Sequence, residues 1–202
     1  MGHALGIVEI VFAPLAQDEA ARRAKTLGFD HIDLVSESNE RLALPVVDRF
    51  ALRPRAGWSS GAPPEGPGNW ERAVRAFRAA PGSRIEPWAG SIIDSTEKIE
   101  AFLREVPGTK LLLDTGHVAN WGEDPAALLD HATHVQLRQA RRGVPQAAEG
   151  DIDFAAFLAE SRRRGYQGAF SVEYFDLPAL GYPLDDPLGH ALALAERVRP
   201  LL

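Results

Sequence analysis

The sequence predicts an α/β protein folded as a (β/α)8 barrel, and three observations favour this class. Short runs of apolar and β-branched residues alternate with longer amphipathic stretches, as in the strand–helix–strand units of a parallel sheet. Seven such runs are recognisable, and an eighth is expected near Ala56 to Ser60. No GxGxxG or GxxxxGK[ST] motif follows an early strand, which argues against an open nucleotide-binding sheet.

The first half of the chain carries the weaker strand patterns. Leu5 to Phe12 and His31 to Val35 are predicted as the first two strands, and Val46 to Leu52 is a weaker third candidate. Gly28 is expected to end the intervening helix, because glycine adopts the left-handed conformation at little cost. Pro54 to Gly68 is rich in Pro, Gly and Ser and predicts a long loop. Since barrels of this class typically have about 250 residues, we expect a barrel that is shortened or partly irregular in its first half.

The second half is more regular. The continuous apolar run Lys110 to Asp114 is typical of a strand buried on both faces of a parallel sheet. Three further strands are predicted over Ser83 to Glu86, His134 to Leu137 and Ala169 to Tyr174. The predicted helices cover about residues 18–27, 69–79, 95–106, 124–131, 152–165 and 187–198. Together these elements predict one barrel domain over residues 1–202.

Composition restricts the classes of function. The chain has 202 residues, of which 45% are apolar and 25% charged, as expected for a globular protein with a sizeable core. It has no cysteine, which excludes disulfides, thiolate metal sites and cysteine nucleophiles. A net charge of −6 argues against nucleic acid as a partner. No long apolar run or signal-peptide pattern is present, so we expect no membrane partner and a cytoplasmic location.

Oxygen donors lie near the C-terminal ends of four consecutive predicted strands: Glu86, Asp114, Gln136 and Glu173. Barrel active sites assemble at this end, and neighbouring strands should bring the four side chains together at the barrel mouth. Three carboxylates and an amide oxygen suit Mn²⁺ or Mg²⁺ best and also tolerate Co²⁺ or Zn²⁺. The alternative is that each acid pairs with an arginine or caps the following helix.

Two histidines are candidates for the same site. His117 follows Asp114 by three residues, in the loop leaving the strand, and is expected to act as a proton shuttle or substrate contact. His134 shares a strand face with Gln136 and is expected one layer lower, behind the ligands, with direct metal ligation as the alternative. The other histidines are expected to be ordinary surface or packing residues: His3, His31, His131 and His190.

Cationic and aromatic residues near the strand ends are candidate substrate contacts. Arg138, Arg141 or Arg142 could hold a carboxylate or phosphate of the substrate, since a guanidinium matches either anion. The alternative is a solvated cluster of arginines in a loop. Trp88 and Trp121 follow strand-end ligands and either form an apolar wall beside a sugar carbon chain or pack at the rim.

Four segments together resemble the xylose isomerase-like barrels: LLLDTGHVANWGEDP, HVQLRQARRG, EGDIDF and GYQGAFSVEYF. That superfamily contains sugar isomerases and epimerases, hydroxypyruvate isomerase, inosose dehydratase and metal-dependent apurinic endonucleases. The resemblance covers about Ser83 to Phe175. HVQLRQ stands where the family commonly has HVHLKD. The glutamine at its third position, Gln136, resembles the hydroxypyruvate isomerase branch, in which this side chain ligates metal. Gln139 replaces an acid that the family often has, and the first half is shorter than usual.

The resemblance implies metal ligation by Glu86, Asp114, Gln136 and Glu173, acid–base roles for the two glutamates, and a substrate contact for His117. The expected activity is isomerisation or epimerisation of a small sugar or hydroxy-keto compound. A divalent ion would stabilise the enediolate that forms when a C–H proton beside the carbonyl is removed.

Two other functions remain open at this point. A phosphodiesterase of the apurinic endonuclease type would need a histidine-rich multi-metal site and a basic surface. A degenerate barrel would bind a ligand or partner without turnover and would hold no tight metal, or a metal without exchange of substrate protons. A homodimer is compatible with either reading of the barrel.

Overall fold

The computed structural model describes residues 3–36, 41–49 and 59–202, and its eight strands form one parallel sheet. The strands are β1 Leu5–Val8, β2 His31–Leu34, β3 Val46–Arg49, β4 Ser59–Gly61, β5 Arg84–Glu86, β6 Lys110–Asp114, β7 Ala132–Leu137 and β8 Ala169–Val172. The α-helices are α1 Gln17–Thr26, α2 Asn69–Arg78, α3 Thr96–Glu105, α4 Thr115–Trp121, α5 Phe154–Arg163 and α6 Pro187–Val198. Short 3-10 helices cover Glu9–Phe12, Pro125–His131, Pro178–Leu180 and Arg199–Leu201.

The sheet curls because β1, the first strand, pairs with β8, the last strand, as well as with β2. Its strand order is β3-β2-β1-β8-β7-β6-β5-β4, and all pairs are parallel. Within the described residues no ladder joins β3 to β4, and positions 50–58 between them lie outside that part of the chain. The predicted (β/α)8 barrel is confirmed, and its irregular part lies in the first half, where the register between β2 and β3 also shifts.

Several predicted boundaries need correction. The first strand ends at Val8 rather than Phe12, because Glu9 opens a 3-10 turn and its carboxylate accepts the Val35 N–H at 2.8 Å. The expected hidden strand is present as β4, and residues 56–58 of that prediction fall outside the described residues. The stretch that begins after Asp124 is a 3-10 helix rather than an α-helix.

Helix ends follow local capping chemistry that the sequence encodes. Ser95 caps α3 by accepting the Lys98 N–H at 3.3 Å, and Asp153 caps α5 by accepting the Ala156 N–H at 3.0 Å. Gly28 has a φ of 80° just after α1, as expected for a residue that terminates a helix. None of the helices in the described ranges is long and apolar enough to cross a membrane.

The barrel interior contains a polar layer below its mouth. This deep polar layer consists of side chains from β2, β3, β5, β7 and β8: His31, Asp33, Asp48, Arg84, His134 and Ser171. Gly6 of β1 makes room for it, since a Cβ at this position would lie 2.1 Å from His31 Nε2. The apolar core lies outside the sheet, where residues such as Ile32, Leu111 and Phe170 are fully buried.

Candidate active site

The structure brings the predicted oxygen donors to one end of the barrel. Glu86 and Asp114 are the last residues of β5 and β6, and Asp114 is paired in register with Gln136 of β7. Glu173 directly follows β8, and its N–H still donates to Leu137 O at 3.1 Å, which holds it beside β7. Four consecutive strands therefore present these side chains at the carboxyl-terminal edge of the sheet, where barrel active sites form.

The tightest group of possible metal ligands at this edge consists of Glu86, Asp114 and His117. One ligand atom from each lies within 4.8 Å of the other two. His117 Nε2 is 3.7 Å from Glu86 Oε1 and 3.7 Å from Asp114 Oδ2. The site thus includes an imidazole nitrogen that the predicted ligand set did not contain.

His117 lies in the first turn of α4, and the expectation of a loop at this point was wrong. Asp114 caps this helix, because its Oδ1 accepts the N–H of Gly116 at 2.7 Å and the N–H of His117 at 3.2 Å. Aspartate is a favourable N-cap, so the letters DTGH contain a helix-start signal that strand analysis overlooked. The cap holds the backbone of His117 in the first turn of the helix.

Arg138 was predicted as a candidate substrate contact, and the sequence analysis did not indicate that its side chain would lie among the buried acids. Its side chain is fully buried, with Nη2 2.5 Å from Asp114 Oδ2 and 3.4 Å from His117 Nε2. Its Nη1 lies 3.7 Å from Glu173 Oε2, and its guanidinium carbon stands 4.9 Å from the centre of the Phe175 ring. The alternative of a solvated arginine cluster is wrong for Arg138, and its position two residues beyond Gln136 on the inward face was the available signal.

Gln136 is buried, and neither its amide oxygen nor its amide nitrogen has a hydrogen-bond partner within the described residues. Buried polar atoms are nearly always paired, so an unpaired amide beside Asp114 is a place where a ligand is expected. An amide oxygen is a hard donor of the kind that divalent cations bind.

Burial and crowding shift the protonation of the two glutamates. Burial, together with the Asp114 charge, raises the pKa of Glu86 to about 8. Burial raises the pKa of Glu173 well above its ordinary value, against the opposing charge of Arg138 and assisted by Asp114. In the absence of a cation Glu86 therefore holds a proton near neutral pH, and the pKa of Glu173 shifts in the same direction, as expected when like charges crowd a buried site.

Asp114 and His117 shift the other way. Burial alone would raise the pKa of Asp114, but Arg138, His117 and the hydrogen bonds to this carboxylate outweigh it and keep the pKa below its usual value. Burial lowers the pKa of His117 to about 4, so its ring is neutral at physiological pH. The ionised Asp114 carboxylate and the Arg138 guanidinium therefore carry opposite charges at the mouth.

Trp88 and Arg142, the other predicted substrate contacts, line two clefts whose walls do not include Glu86, Asp114 or His117. Trp88 is half-buried, donates from Nε1 to Ala62 O at 2.6 Å, and lines a cavity of about 930 Å³ between β4 and α2. Arg142 is exposed and lies over Gly122 at the end of α4, beside a surface cleft of about 840 Å³. The substrate contacts predicted for both side chains stay predictions.

Two histidines belong to the deep polar layer instead. His134 lies one layer below Gln136, and its Nε2 contacts Asp33 Oδ2 at 2.8 Å and Ser171 Oγ at 3.2 Å rather than the four oxygen donors above. His31 was expected to be an ordinary surface or packing residue, but it is buried and contacts Ser171 Oγ at 2.9 Å. The glycine opposite His31 was the sequence signal for a ring placed inside the barrel.

A sequence model of the xylose isomerase-like TIM barrel family matches residues 18–197. The chain belongs to this family. The resemblance inferred from residues 83–175 is thus confirmed and extends over most of the chain.

Solved structures agree with this barrel. The 3-keto-D-glucoside 4-epimerase YcjR from E. coli, in its apo form, superposes with a TM-score of 0.74 at 14% identity and covers 98% of this chain and 100% of its own. A xylose isomerase-like TIM barrel protein from Mycobacterium smegmatis, in complex with magnesium, gives a TM-score of 0.75 at 14% identity, with 98% and 96% covered. At these identities the likeness is one of fold.

One curated relative of this xylose isomerase-like barrel has a higher sequence identity over a shorter segment. The rhizopine catabolism protein MocC of Rhizobium meliloti is 31% identical over 121 residues, which is 47% of this chain. The match spans only 37% of the length of MocC.

Proposed function

We propose that this barrel is a divalent-metal-dependent isomerase or epimerase of a sugar or small hydroxy-keto compound. The observation that carries the proposal is the convergence of Glu86, Asp114 and His117 at the barrel mouth, with Glu173 completing a pair of glutamates of raised pKa. The fold shared with a 3-keto-D-glucoside 4-epimerase supports a carbohydrate-like substrate. The proposal includes a cytoplasmic enzyme of carbohydrate metabolism and a homodimer.

The residues at the mouth fit a divalent ion. Glu86, Asp114, Gln136 and Glu173 would hold it, and the unpaired amide oxygen of Gln136 would gain a partner. Mn²⁺ or Mg²⁺ suits these hard donors, and His117 would extend the range to Co²⁺ or Zn²⁺. A cation would also relieve the crowding that raises the pKa of both glutamates. When bound, such an ion polarises the carbonyl and hydroxyl oxygens of a substrate and eases removal of the neighbouring C–H proton.

The two glutamates are the proposed acid and base. A carboxylate oxygen of one glutamate takes the proton from carbon, and the other glutamate returns a proton to the substrate. Return to the opposite face of the same carbon epimerises the substrate, whereas return to the neighbouring carbon, which was the carbonyl carbon, interconverts aldose and ketose. Because Arg138 Nη1 lies 3.7 Å from Glu173 Oε2, its charge favours the ionised form of Glu173 and assists its use as the base.

His117 is proposed to bind a substrate hydroxyl, and Asp114 to hold His117 in position. The neutral His117 ring can accept a hydrogen bond from a substrate hydroxyl at one nitrogen and donate from the other. Asp114 stays ionised through Arg138 and holds α4, and therefore His117, in place. Arg142 and Trp88 remain proposed contacts for the distal part of the substrate.

The test is proton exchange between substrate and solvent. Purified protein with Mn²⁺ would be incubated in D₂O with a panel of ketoses, aldoses and small hydroxy-keto acids, and NMR would follow loss of the C–H signal beside the carbonyl. We expect Glu173→Gln and Glu86→Gln to slow exchange by about 10²–10⁴-fold. The control is Glu149→Gln, whose side chain is 84% exposed. Exchange at an unchanged rate in both site variants would exclude the glutamates as acid and base.

A non-catalytic barrel that binds a ligand or partner is the second candidate. The observation that favours it is the Arg138–Asp114 ion pair, since it neutralises the mouth without a metal. This candidate predicts that the protein binds no Mn²⁺, or binds it without exchanging protons of any substrate in the panel.

A further inference from the structure

The deep polar layer brings four ligand-type atoms to one point inside the barrel. They are His31 Nε2, His134 Nε2, a carboxylate oxygen of Asp33 and Ser171 Oγ, from strands β2, β7 and β8. The atoms of His31, Asp33 and His134 lie within 4.8 Å of one another. All four side chains are at most 2% exposed. None of them belongs to the set proposed to hold a metal at the mouth.

The separations of these atoms lie on both sides of the edge length of a small coordination tetrahedron. His134 Nε2 is 2.8 Å from Asp33 Oδ2 and 3.2 Å from Ser171 Oγ. His31 Nε2 is 2.9 Å from Ser171 Oγ and 3.9 Å from Asp33 Oδ1. A tetrahedral zinc ion, with ligand distances of about 2.0–2.2 Å, separates its ligand atoms by about 3.3–3.6 Å. The three shorter separations would have to lengthen, the shortest by about 0.5–0.8 Å, to seat the ion.

The surrounding structure holds the two anchoring residues in this arrangement. The Cβ-free Gly6 lets the His31 ring enter the barrel, because any larger residue would overlap His31 Nε2. Asp33 Oδ1 accepts the Asp48 N–H at 3.0 Å, which orients the carboxylate toward the histidines. Support of a ligating carboxylate by a further hydrogen bond is typical of protein metal sites.

We propose that His31, Asp33, His134 and Ser171 form a second metal site, which takes Zn²⁺ and is separate from the mouth. Two imidazole nitrogens and one carboxylate oxygen are common zinc ligands, and the serine hydroxyl fills the fourth position. Because the site is closed, the ion is structural and enters as the barrel folds. It would fasten β2 to β7 and β8, which lie on the other side of β1 in the sheet.

The competing account is that protons occupy the same place. In that case His134 donates from Nε2 to Asp33, Ser171 donates to His31, and the cluster binds no ion. Both accounts are compatible with the contacts of His31, Asp33, His134 and Ser171. They differ in whether the refolded protein retains a metal ion.

The experiment uses the full chain and a double variant, Asp114→Asn with Glu173→Gln, which removes two of the four carboxylate and amide ligands proposed at the mouth. Each protein would be unfolded, refolded with Zn²⁺ or Co²⁺, and freed of loosely held metal by gel filtration. Metal content would be measured by mass spectrometry and Co²⁺ geometry by visible absorption. We expect the double variant to retain one equivalent with the intense bands of four-coordinate Co²⁺.

The deciding comparison adds His31→Gln to the double variant. We expect loss of the retained equivalent with an unchanged circular dichroism spectrum, while the matched His131→Gln, a partly exposed histidine, retains it. If His31→Gln does not fold, Asp33→Asn and Ser171→Ala report on the same site. Should the double variant itself not fold, the full-length protein is compared with its own single variants. Refolded protein that retains no Zn²⁺, or retention unchanged by all three ligand substitutions, would overturn the proposal.

Discussion

Replacing Arg138 with methionine tests whether its guanidinium compensates the charge of Asp114 when no metal is bound at the barrel mouth. Arg138 and Asp114 form an ion pair in which both side chains are 0% exposed. Removing one partner leaves a buried carboxylate that has lost its guanidinium partner, although the N–H groups of Gly116 and His117 still donate to it. Breaking a buried pair in this way typically costs about 3–5 kcal/mol. We expect a loss of that size in the free energy of unfolding of metal-free protein.

Metal should reverse much of this loss if the mouth is a cation site. An ion present at 100 times its dissociation constant stabilises a folded protein by about 2.7 kcal/mol. Removal of the buried guanidinium also removes a positive charge that would repel a cation bound at Asp114 and Glu173. Arg138→Met should therefore bind Mn²⁺ more tightly than the natural sequence. A gain of about tenfold corresponds to 1.4 kcal/mol of binding free energy.

The assay is urea unfolding with EDTA and with saturating Mn²⁺, beside calorimetric titration of Mn²⁺. Arg142→Met is the matched control, since this exposed arginine follows in the same segment and its loss should change stability by less than about 0.5 kcal/mol. If Arg138→Met bound Mn²⁺ more weakly than the natural sequence, or gained no extra stability from it, the inferred competition between guanidinium and metal would be refuted.

Two further predictions concern stability. Gly6→Ala should destabilise the protein by about 1–3 kcal/mol, because the new Cβ would overlap the His31 ring; urea unfolding would measure this against Gly61→Ala, where nothing lies within 4 Å. An unchanged midpoint for Gly6→Ala would mean that the ring is elsewhere. For Glu86, the pKa of about 8 lies above its usual 4.5, so the folded metal-free protein keeps a proton that the unfolded chain releases. The stabilisation that Glu86 gains from this bound proton is fully present below pH 4.5. The free energy of unfolding should therefore fall as the pH rises from 4.5 toward 8. Glu86→Gln should lack this part of the pH dependence, and parallel pH curves for the two proteins would contradict the assignment.

The sequence by itself determined the order of elements and the carboxyl ends of three strands, β5, β6 and β7. The continuous apolar run placed β6 at Lys110–Asp114 as predicted, and the capping residues Ser95 and Asp153 are found at the starts of α3 and α5. The carboxyl ends of consecutive parallel strands share one edge, so Glu86 and Asp114 could be assigned to one end of the barrel from strand order alone. Such features depend on residues within a few positions of one another.

Only the tertiary structure decided which charges and rings meet inside the barrel. Arg138 and Asp114 are 24 positions apart, and His31 and Ser171 are 140 positions apart, so no local pattern encodes either contact. The same holds for the pKa of Glu86, which depends on burial and on the charge of Asp114. Pairing of β1 with β8 brings these residues together and sets the distances between them. Burial away from water makes each resulting electrostatic interaction strong enough to shift a pKa. The polar side chains of the interior therefore form two layers, one at the mouth and one below it.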